Sequence, residues 1–522
     1  MANIFNSVKL TKPKSNNFDL SHSRKFSFKF GDLTPCYLQE VIPGDNINLK
    51  SEQLIRVTPL VSPAMQEMDV YTHFFFVPNR ILWANWENFI TGGEDGLSNP
   101  QFPYIQIPDT TGFKVGSIPD YFGLPTGQGF GEKVSALPFW AYAKIYDEYY
   151  RDQNLQTPIW ELASDGDNSA SINSRGLDDV PFKRAWKHDY FTSALPFPQK
   201  GPEATIPLGT TADVDFAYLE ADRLWNHITG TYETTGADIK FANPVGPPTF
   251  SELETVPNGN PASIDNSRNL SVDLSTASAS TINDLRTAFR LQEWLERNAR
   301  AGSRYVEHIL AHFGVKSSDK RLQRPEYLGG GKSPIIVSEV LQTSESASTP
   351  LAEMAGRGMN VGQNHSFSVS IEEHGYIIGI ISALPKASYL QGIEKHFFKF
   401  DKFDYYYPTF AHLGEQAIAN KEIYAQDSNP TANDDVFGYT PRYAEYKFMR
   451  DSIHGQMRTS LNYWHMARIF ASPPVLNEEF IQCEPEERIF AVVDPNEDKL
   501  ICHMYHNVRA RRPMPVFGTP QF

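Results

Sequence analysis

Cysteine is scarce in this chain: three in 522 residues, Cys36, Cys483 and Cys502, an odd number spread far apart. Such usage excludes a disulfide framework and offers no CxxC metal pair, so buried free thiols are expected. Long apolar runs are also missing. The longest, "YIIGIISALP", is about half a membrane span, and the opening "MANIFNSVKLTKPKSNNFDL" has no apolar core of the secretory kind, so a soluble chain made in the cytoplasm is expected. Positive charge falls short as well: 47 Lys and Arg stand against 62 Asp and Glu, a formal net charge of −15. A chain so acidic does not wrap nucleic acid with its bulk charge, and any such contact is local or assisted by a basic partner.

What is abundant is aromatic and turn-forming. Phe, Tyr and Trp make up 13% of the residues, with 37 Pro and 34 Gly, a mixture that suits a β-rich fold with many turns and long loops. "KFSFKF" alternates Phe26, Phe28 and Phe30 with polar residues, the period of a half-buried strand. "NINLK" (46–50) repeats it after the turn "PGD", and "MDVYTHFFFVP" (68–78) gives a longer aromatic strand. "HSFSVSIEEHGYIIGIIS" (365–382), "RIFAVVD" and "LICHMYHNVRA" predict further strands, so residues far apart in sequence must close the sheet. Between them, "TINDLRTAFRLQEWLERNARAG" spaces Leu285, Ala288, Phe289, Gln292, Leu295 and Ala299 for one helix face and ends near Gly302. "LPFWAYAKIYDEYYRDQN" (137–154) predicts a second helix, aromatic on several sides and therefore packed against more than one neighbour.

Residues 201–280 differ from the rest. They are rich in Thr, Ser, Asn, Gly and Pro, and their eleven Asp and Glu against three Lys and Arg carry −8 of the total charge. Such a stretch buries little apolar surface and is too long for an ordinary loop, which marks a functional excursion or a linker.

Motifs of catalysis are incomplete. "LGGGKS" (328–333) ends as a phosphate-binding loop ends, but the first Gly of that motif would stand at 326, which is Glu326. Pro334 and the β-branched "IIVSEVL" follow where a helix should start, so a glycine turn between two elements is the better reading. His308 and His312 have the spacing of HExxH without its Glu, and read as ordinary helix histidines. Glu372-Glu373 and Asp434-Asp435 are adjacent carboxylates that point apart on a strand and cannot share a substrate. No GxSxG is present. Aromatic Tyr405, Tyr406 and Tyr407 in "DYYYP" suit a β core or a subunit contact, with a sugar-stacking platform as the other reading. Basic residues gather at the ends, Lys9, Lys12 and Lys14, then Arg509, Arg511 and Arg512, as arms for phosphates or as solvated termini and subunit salt bridges.

Seven segments in order along the chain carry a resemblance: "GDLTPCYLQEVIPGD", "THFFFVPNRILWANWENF", "LPFWAYAKIYDEYYRDQNL", "KHDYFTSALPFPQKG", "INDLRTAFRLQEWLERNARAGSRYVEHILAHFGV", "RLQRPEYLGGG" and "RPMPVFGTP". Together they resemble the major capsid proteins of microviruses, the small single-stranded DNA bacteriophages, and in particular the gokushovirus branch. The resemblance implies a mainly β fold, a viral jelly-roll barrel of about eight antiparallel strands with long loop insertions containing helices. It implies no enzyme activity and no cofactor or metal. It divides the chain into 1–202 (N-terminal arm and first part of the jelly roll), 203–280 (a surface insertion at the threefold axes) and 281–522 (helix, remaining strands and C-terminal arm). A homo-oligomeric T=1 icosahedral shell is implied, made and assembled in the host bacterial cytoplasm and enclosing a circular single-stranded DNA genome. Its implied partners are an internal scaffolding protein, a DNA pilot protein, a small basic DNA-binding protein and a host cell-surface receptor, with no membrane insertion. On that frame the six basic residues above are DNA-facing candidates. Phe74, Phe75, Phe76, Trp83, Trp86 and Tyr405 to Tyr407 are core or subunit-contact candidates, and Trp225, Tyr232, Phe241 and Phe250 are host-attachment candidates in the insertion. A carbohydrate-binding or carbohydrate-active β-sandwich is the rival reading, resting on the aromatics and carboxylates, although no pair with glycosidase spacing is nominated.

Overall fold

The computed structural model describes residues 14–517, except 109–110, 128, 130, 303, 342–353, 428, 493 and 495; within 203–281 it describes Ala204 and seven short strands. Two compact units are present, one of residues 1–200 with 296–522 and one of residues 201–295.

The larger unit is built on ten strands: β1 (Asn16–Asp19), β2 (His22–Phe28), β3 (Thr34–Val41), β4 (Asn46–Val57), β5 (Met68–Pro78), β6 (Glu326–Pro334), β7 (Ile336–Leu341), β8 (Met354–Ser370), β9 (Gly375–Pro385) and β10 (Leu500–Arg512). They form two antiparallel sheets. The first runs β1–β10–β4–β8–β7, with β2 also paired to β10, and the second runs β6–β5–β9–β3. The last strand therefore sits between the first two and the fourth, as strands at both ends of the chain require.

Period-two patterning decides which side chains meet between the sheets. In β4, Ile47, Leu49, Ile55 and Val57 are buried while Asn48, Lys50, Glu52 and Arg56 are exposed. In β10, Leu500, Cys502, Met504, Val508 and Ala510 take the same inner side. They pack with Phe74 and Phe76 of β5 and Ile377 and Ile381 of β9 into one core. Strand β5 is covered on its other face too, where Phe75 and Val77 join Trp83, Ile378, Ile380 and helix α1 (Leu137–Ile145) in a second core. Burial on both faces explains why this strand is a continuous apolar run rather than an alternation. All nine residues of α1 are buried, because its aromatics point in every direction; Pro138 opens it, and Tyr142 donates to Leu33 O (2.8 Å). The helix ends earlier than the sequence predicts, passing into a single π-helical turn, Tyr146–Tyr150. A third cluster, centred on Phe191, Tyr389, Phe437 and Phe480, holds part of the long connection between β9 and β10.

Residues 365–382 hold strands as expected, the end of β8 and most of β9, with residues 371–374 between them. Two expectations change. The described residues of "RIFAVVD" form no strand: Ile489 and Phe490 are buried, but Arg488 turns into neighbouring loops, donating to Asn462 O (2.9 Å) and Ala467 O (2.6 Å). The glycine run is not a turn either, since all of it lies inside β6.

The smaller unit carries a five-stranded antiparallel sheet in the order 231–233, 224–226, 260–263, 253–255, 239–241, and a two-stranded pair, 214–215 with 271–272. Helix α2 (Ile282–Ala301) begins here with Asp284 in its first turn and matches the predicted helix closely.

Candidate nucleic-acid interface

The glycines of "LGGGKS" serve close packing. Residues Gly329 to Ser333 pair with Val70 to Phe74 of β5, so their backbone is committed to a sheet ladder instead of a ligand. A bulge after Tyr327 places Gly329 at φ +155°, a Cβ on Gly330 would lie 2.3 Å from Thr72 O, and one on Gly331 would lie 2.2 Å from His365 Nδ1. Lys332 Nζ pairs with Asp69 (2.7 Å), and a strand follows in place of the helix that a phosphate loop needs.

Other sequence candidates for chemistry are engaged elsewhere. His308 Nδ1 and His312 Nε2 both lie within hydrogen-bond distance of Asn298 Oδ1, at 3.1 and 2.7 Å. Glu373 holds Arg80 (2.9 Å) and Glu372 holds Lys320 (3.1 Å), both from the connection between β8 and β9 and not, as expected, from a strand. Asp434 holds Lys421 (2.5 Å). All three cysteines are buried, and desolvation pushes the Cys36 thiol up to about 12. Among the described residues, no three His, Cys, Asp or Glu side chains converge to hold a metal.

The aromatic candidates separate by exposure. Phe74, Phe75, Phe76 and Trp83 are buried in the larger unit's own cores, and Trp83 Nε1 donates to Asp165 Oδ1 (2.7 Å). Trp86 is half-buried against Phe89 and His374. Tyr405, Tyr406 and Tyr407 are not core residues: each is about half exposed, beside Phe400 at 90% and Phe397 at 69% exposure. The long β9–β10 connection thus presents an apolar patch that sequence patterning alone does not separate from core.

The outward face of the six-stranded sheet gathers the basic residues. On β10, Arg509 and Arg511 are exposed beyond Asn507, Tyr505 and His503. Register brings Lys50 of β4 beside Asn507, Arg56 beside Ile501, and Lys25 of β2 beside His503, with Arg357 on the outward side of β8. Six cations thus share this face with Glu52 and Asp19, in a chain whose total charge is strongly negative; Asp19 stands opposite Arg509 and feels its charge. The rings of Tyr505 and His503 lie among them, giving the mixture of cations and aromatics that tracks a single strand. Lys25, Lys50, Arg56 and Arg357 are absent from the terminal clusters because only strand pairing brings them to Arg509. The polar phase of "NINLKSEQLIRV" is the signal that could have found two of them.

Arg512 has a different role. It pairs with Asp45 (3.3 Å), whose side chain is wholly buried, and donates to Glu40 O (3.0 Å), so it anchors the strand end. Burial pushes the Asp45 carboxyl up, and Arg512 pulls it back. Lys14 is exposed next to β1, while Lys9 and Lys12 lie outside the described residues. Trp225, Tyr232 and Phe241 stand on short strands of the smaller unit, their side chains outside what the structure describes, and Phe250 is likewise outside it.

Comparison with known proteins bears on the whole chain. The family model described as "Capsid protein (F protein)" matches residues 6–522. Capsid protein VP1 of Chlamydia phage 1 is 38% identical, with 100% of this chain and 98% of the relative covered. Capsid protein VP1 of Bdellovibrio phage phiMH2K is 39% identical, with 98% and 96% covered, and that of Spiroplasma virus 4 is 34% identical, with 96% and 94% covered. A match of this length and depth leaves the glycine run, the histidine pair and the carboxylate pairs as parts of a structural protein, and the chain belongs to the phage capsid (F protein) family.

Proposed function

We propose that this chain is the major capsid protein of a gokushovirus-like phage, assembling into a T=1 icosahedral shell around a circular single-stranded DNA genome, without catalytic activity. The observation that carries the reading is the match to capsid proteins over the full chain, and the strand order agrees with it. Taking β2, β3, β4, β5, β6, β8, β9 and β10 as eight successive strands, the first, eighth, third and sixth are neighbours in one sheet; the second, seventh, fourth and fifth are neighbours in the other. Interleaving of this kind supports a jelly roll of two Greek keys.

The exposed aromatic patch around Phe400 and Tyr405 to Tyr407 supports subunit contact there; closed symmetry repeats each modest contact, so that one departing subunit breaks several. The outward β10 face, with Arg509 and Arg511, is the genome-facing surface, with Lys9, Lys12 and Lys14 as an added arm. The acidic stretch 203–280 is the threefold insertion that meets a host receptor. An acidic shell protein calls for a separate small basic protein on the genome, and an internal scaffolding protein and a DNA pilot protein complete the partner set. No described helix is long and apolar enough to cross a membrane. The test is electron microscopy of the expressed chain, alone and with a candidate scaffolding protein. Uniform small icosahedral shells are expected, and monomers under both conditions would reopen the carbohydrate-binding alternative.

A further inference from the structure

A cavity of about 630 Å³ lies on the outer face of the four-stranded sheet and belongs to no role assigned above. Its floor is the outward side of β5, Tyr71, His73 and Phe75, with Tyr327 of β6, and its walls come from residues 184–188 and 306–324. Cations converge on it. The Arg184 guanidinium sits 4.3 Å from the Tyr71 ring centre and 5.7 Å from that of Tyr150, and donates once, to Ser382 Oγ (2.9 Å). A guanidinium has five N–H donors, and no carboxylate pairs with this one among the described residues. Lys187 and Lys316 line the same cavity, exposed and equally without a described carboxylate partner. The carboxylate in the lining, Asp319, is already held by Arg324 (3.4 Å). Three cations with no charge partner around one concave site are the arrangement that an anion completes.

The aromatics limit the shape of that anion. Phe75 packs on Tyr149 (4.7 Å) and on Tyr327 (5.5 Å), and His73 stacks on Tyr150 (6.0 Å), so the rings fill one another's faces and leave no two-sided slot for a flat base. Tyr327, 47% exposed, offers one open ring to a ligand, and the Ser317 and His188 side chains offer polar contacts beside it. A pyranose suits a single aromatic face and many hydroxyl partners. We propose that this cavity binds an acidic sugar, a pyranose carrying a carboxylate or phosphate, with its anionic group on Arg184, Lys187 and Lys316 and its ring against Tyr327. The inference rests on the genome-facing reading of the β10 face: the cavity is on the opposite side of the sandwich and opens away from the genome, where a host-surface glycan is met.

Saturation-transfer NMR and calorimetry on the full-length chain and on assembled shells, with glucuronic acid, glucose, inorganic phosphate and dTMP as probes, test it. Glucuronic acid is expected to bind both samples at least about tenfold more tightly than glucose, the effect of one charge-assisted contact. Lys187→Glu with Lys316→Glu, both at exposed side chains, should remove that preference while shells still form, and Tyr327→Ala should weaken glucose and glucuronic acid alike. Phosphate binding as tightly as glucuronic acid would reduce the site to a bare anion trap, and a preference for dTMP would make it a nucleic-acid contact; each overturns the proposal. Binding to the free chain that vanishes in shells would mean that a neighbouring subunit covers the cavity, and would also overturn it. Should the chain form no shells at all, the capsid reading fails, while binding by the free chain is still measured independently.

Discussion

Gly330→Ala tests the reading of the glycine run most directly. A Cβ at 330 would lie 2.3 Å from Thr72 O, 2.8 Å from Tyr327 Oη and 2.9 Å from His73 Cδ2. Carbon–oxygen contacts between strands sit at about 3.3 to 3.6 Å, so the overlap is on the order of 1 Å and involves a backbone atom. Thr72 cannot withdraw without parting β5 from β6, where its neighbours Tyr71 and His73 are paired with Lys332 and Gly330. Replacing Gly by Ala in a strand would by itself stabilise by about 0.5 to 1 kcal/mol, whereas forced overpacking costs about 1 to 3 kcal/mol or more. The clash wins, and a net loss of about 1 to 2 kcal/mol is expected. Denaturant unfolding of the purified chain measures it, with Lys332→Ala as the control: that side chain is 45% exposed and its pair with Asp69 contributes less than about 1 kcal/mol. Gly330→Ala unfolding at the wild-type midpoint, or Lys332→Ala proving the more damaging, would refute the packing argument.

Further outcomes are expected. His506 is wholly buried between Ser51 Oγ (2.7 Å) and Cys36 O (3.1 Å), and burial lowers it to about 3; burial likewise lowers His73 to about 4. Both folded values lie below the unfolded value near 6.5, so the stability from the neutral rings is complete above that pH and is lost as pH falls toward 4 and 3, by about 1.4 kcal/mol per pH unit for each ring. His506→Gln should lower the slope of stability between pH 6 and 4.5 by that amount, and an unchanged slope would remove His506 from the account. Arg509→Ala with Arg511→Ala should weaken single-stranded DNA binding and reduce the slope of log affinity against log salt by about 0.7 for each phosphate no longer neutralised, with shell formation intact. Arg512→Ala should instead destabilise the fold, because it strands the buried Asp45 carboxylate; a double Arg511 and Arg512 substitution would confound the two effects. Deleting residues 210–275, within the smaller compact unit, should leave shells assembling and impair attachment to the host, whereas loss of folding would make the segment part of the core.

Much of the frame is determined locally, and so by the sequence alone. Alternation in "NINLK" and "LICHMYHNVRA" assigns inner and outer faces, because a strand's side chains take opposite sides whatever it pairs with. The 3.6-residue spacing across Leu285 to Ala299 sets α2 for the same local reason. The three free thiols and the missing elements of the phosphate loop, zinc and hydrolase motifs are likewise legible from residue types and spacing. Tertiary structure decided the rest, where the outcome depends on which distant segment arrives. Phe75 and Tyr405 are both aromatic in aromatic runs, yet one is covered by α1 and the other is left half exposed. Arg511 and Arg512 are adjacent and chemically alike, and only the arrival of Asp45 beneath one of them separates an anchor from a surface cation. Lys25, Lys50, Arg56 and Arg357 become one face with Arg509 through the pairing of β2, β10, β4 and β8, and the cavity under Arg184 is assembled from five distant segments. Periodicity reports the side a residue takes; register and long-range closure report its company, and no local pattern encodes that.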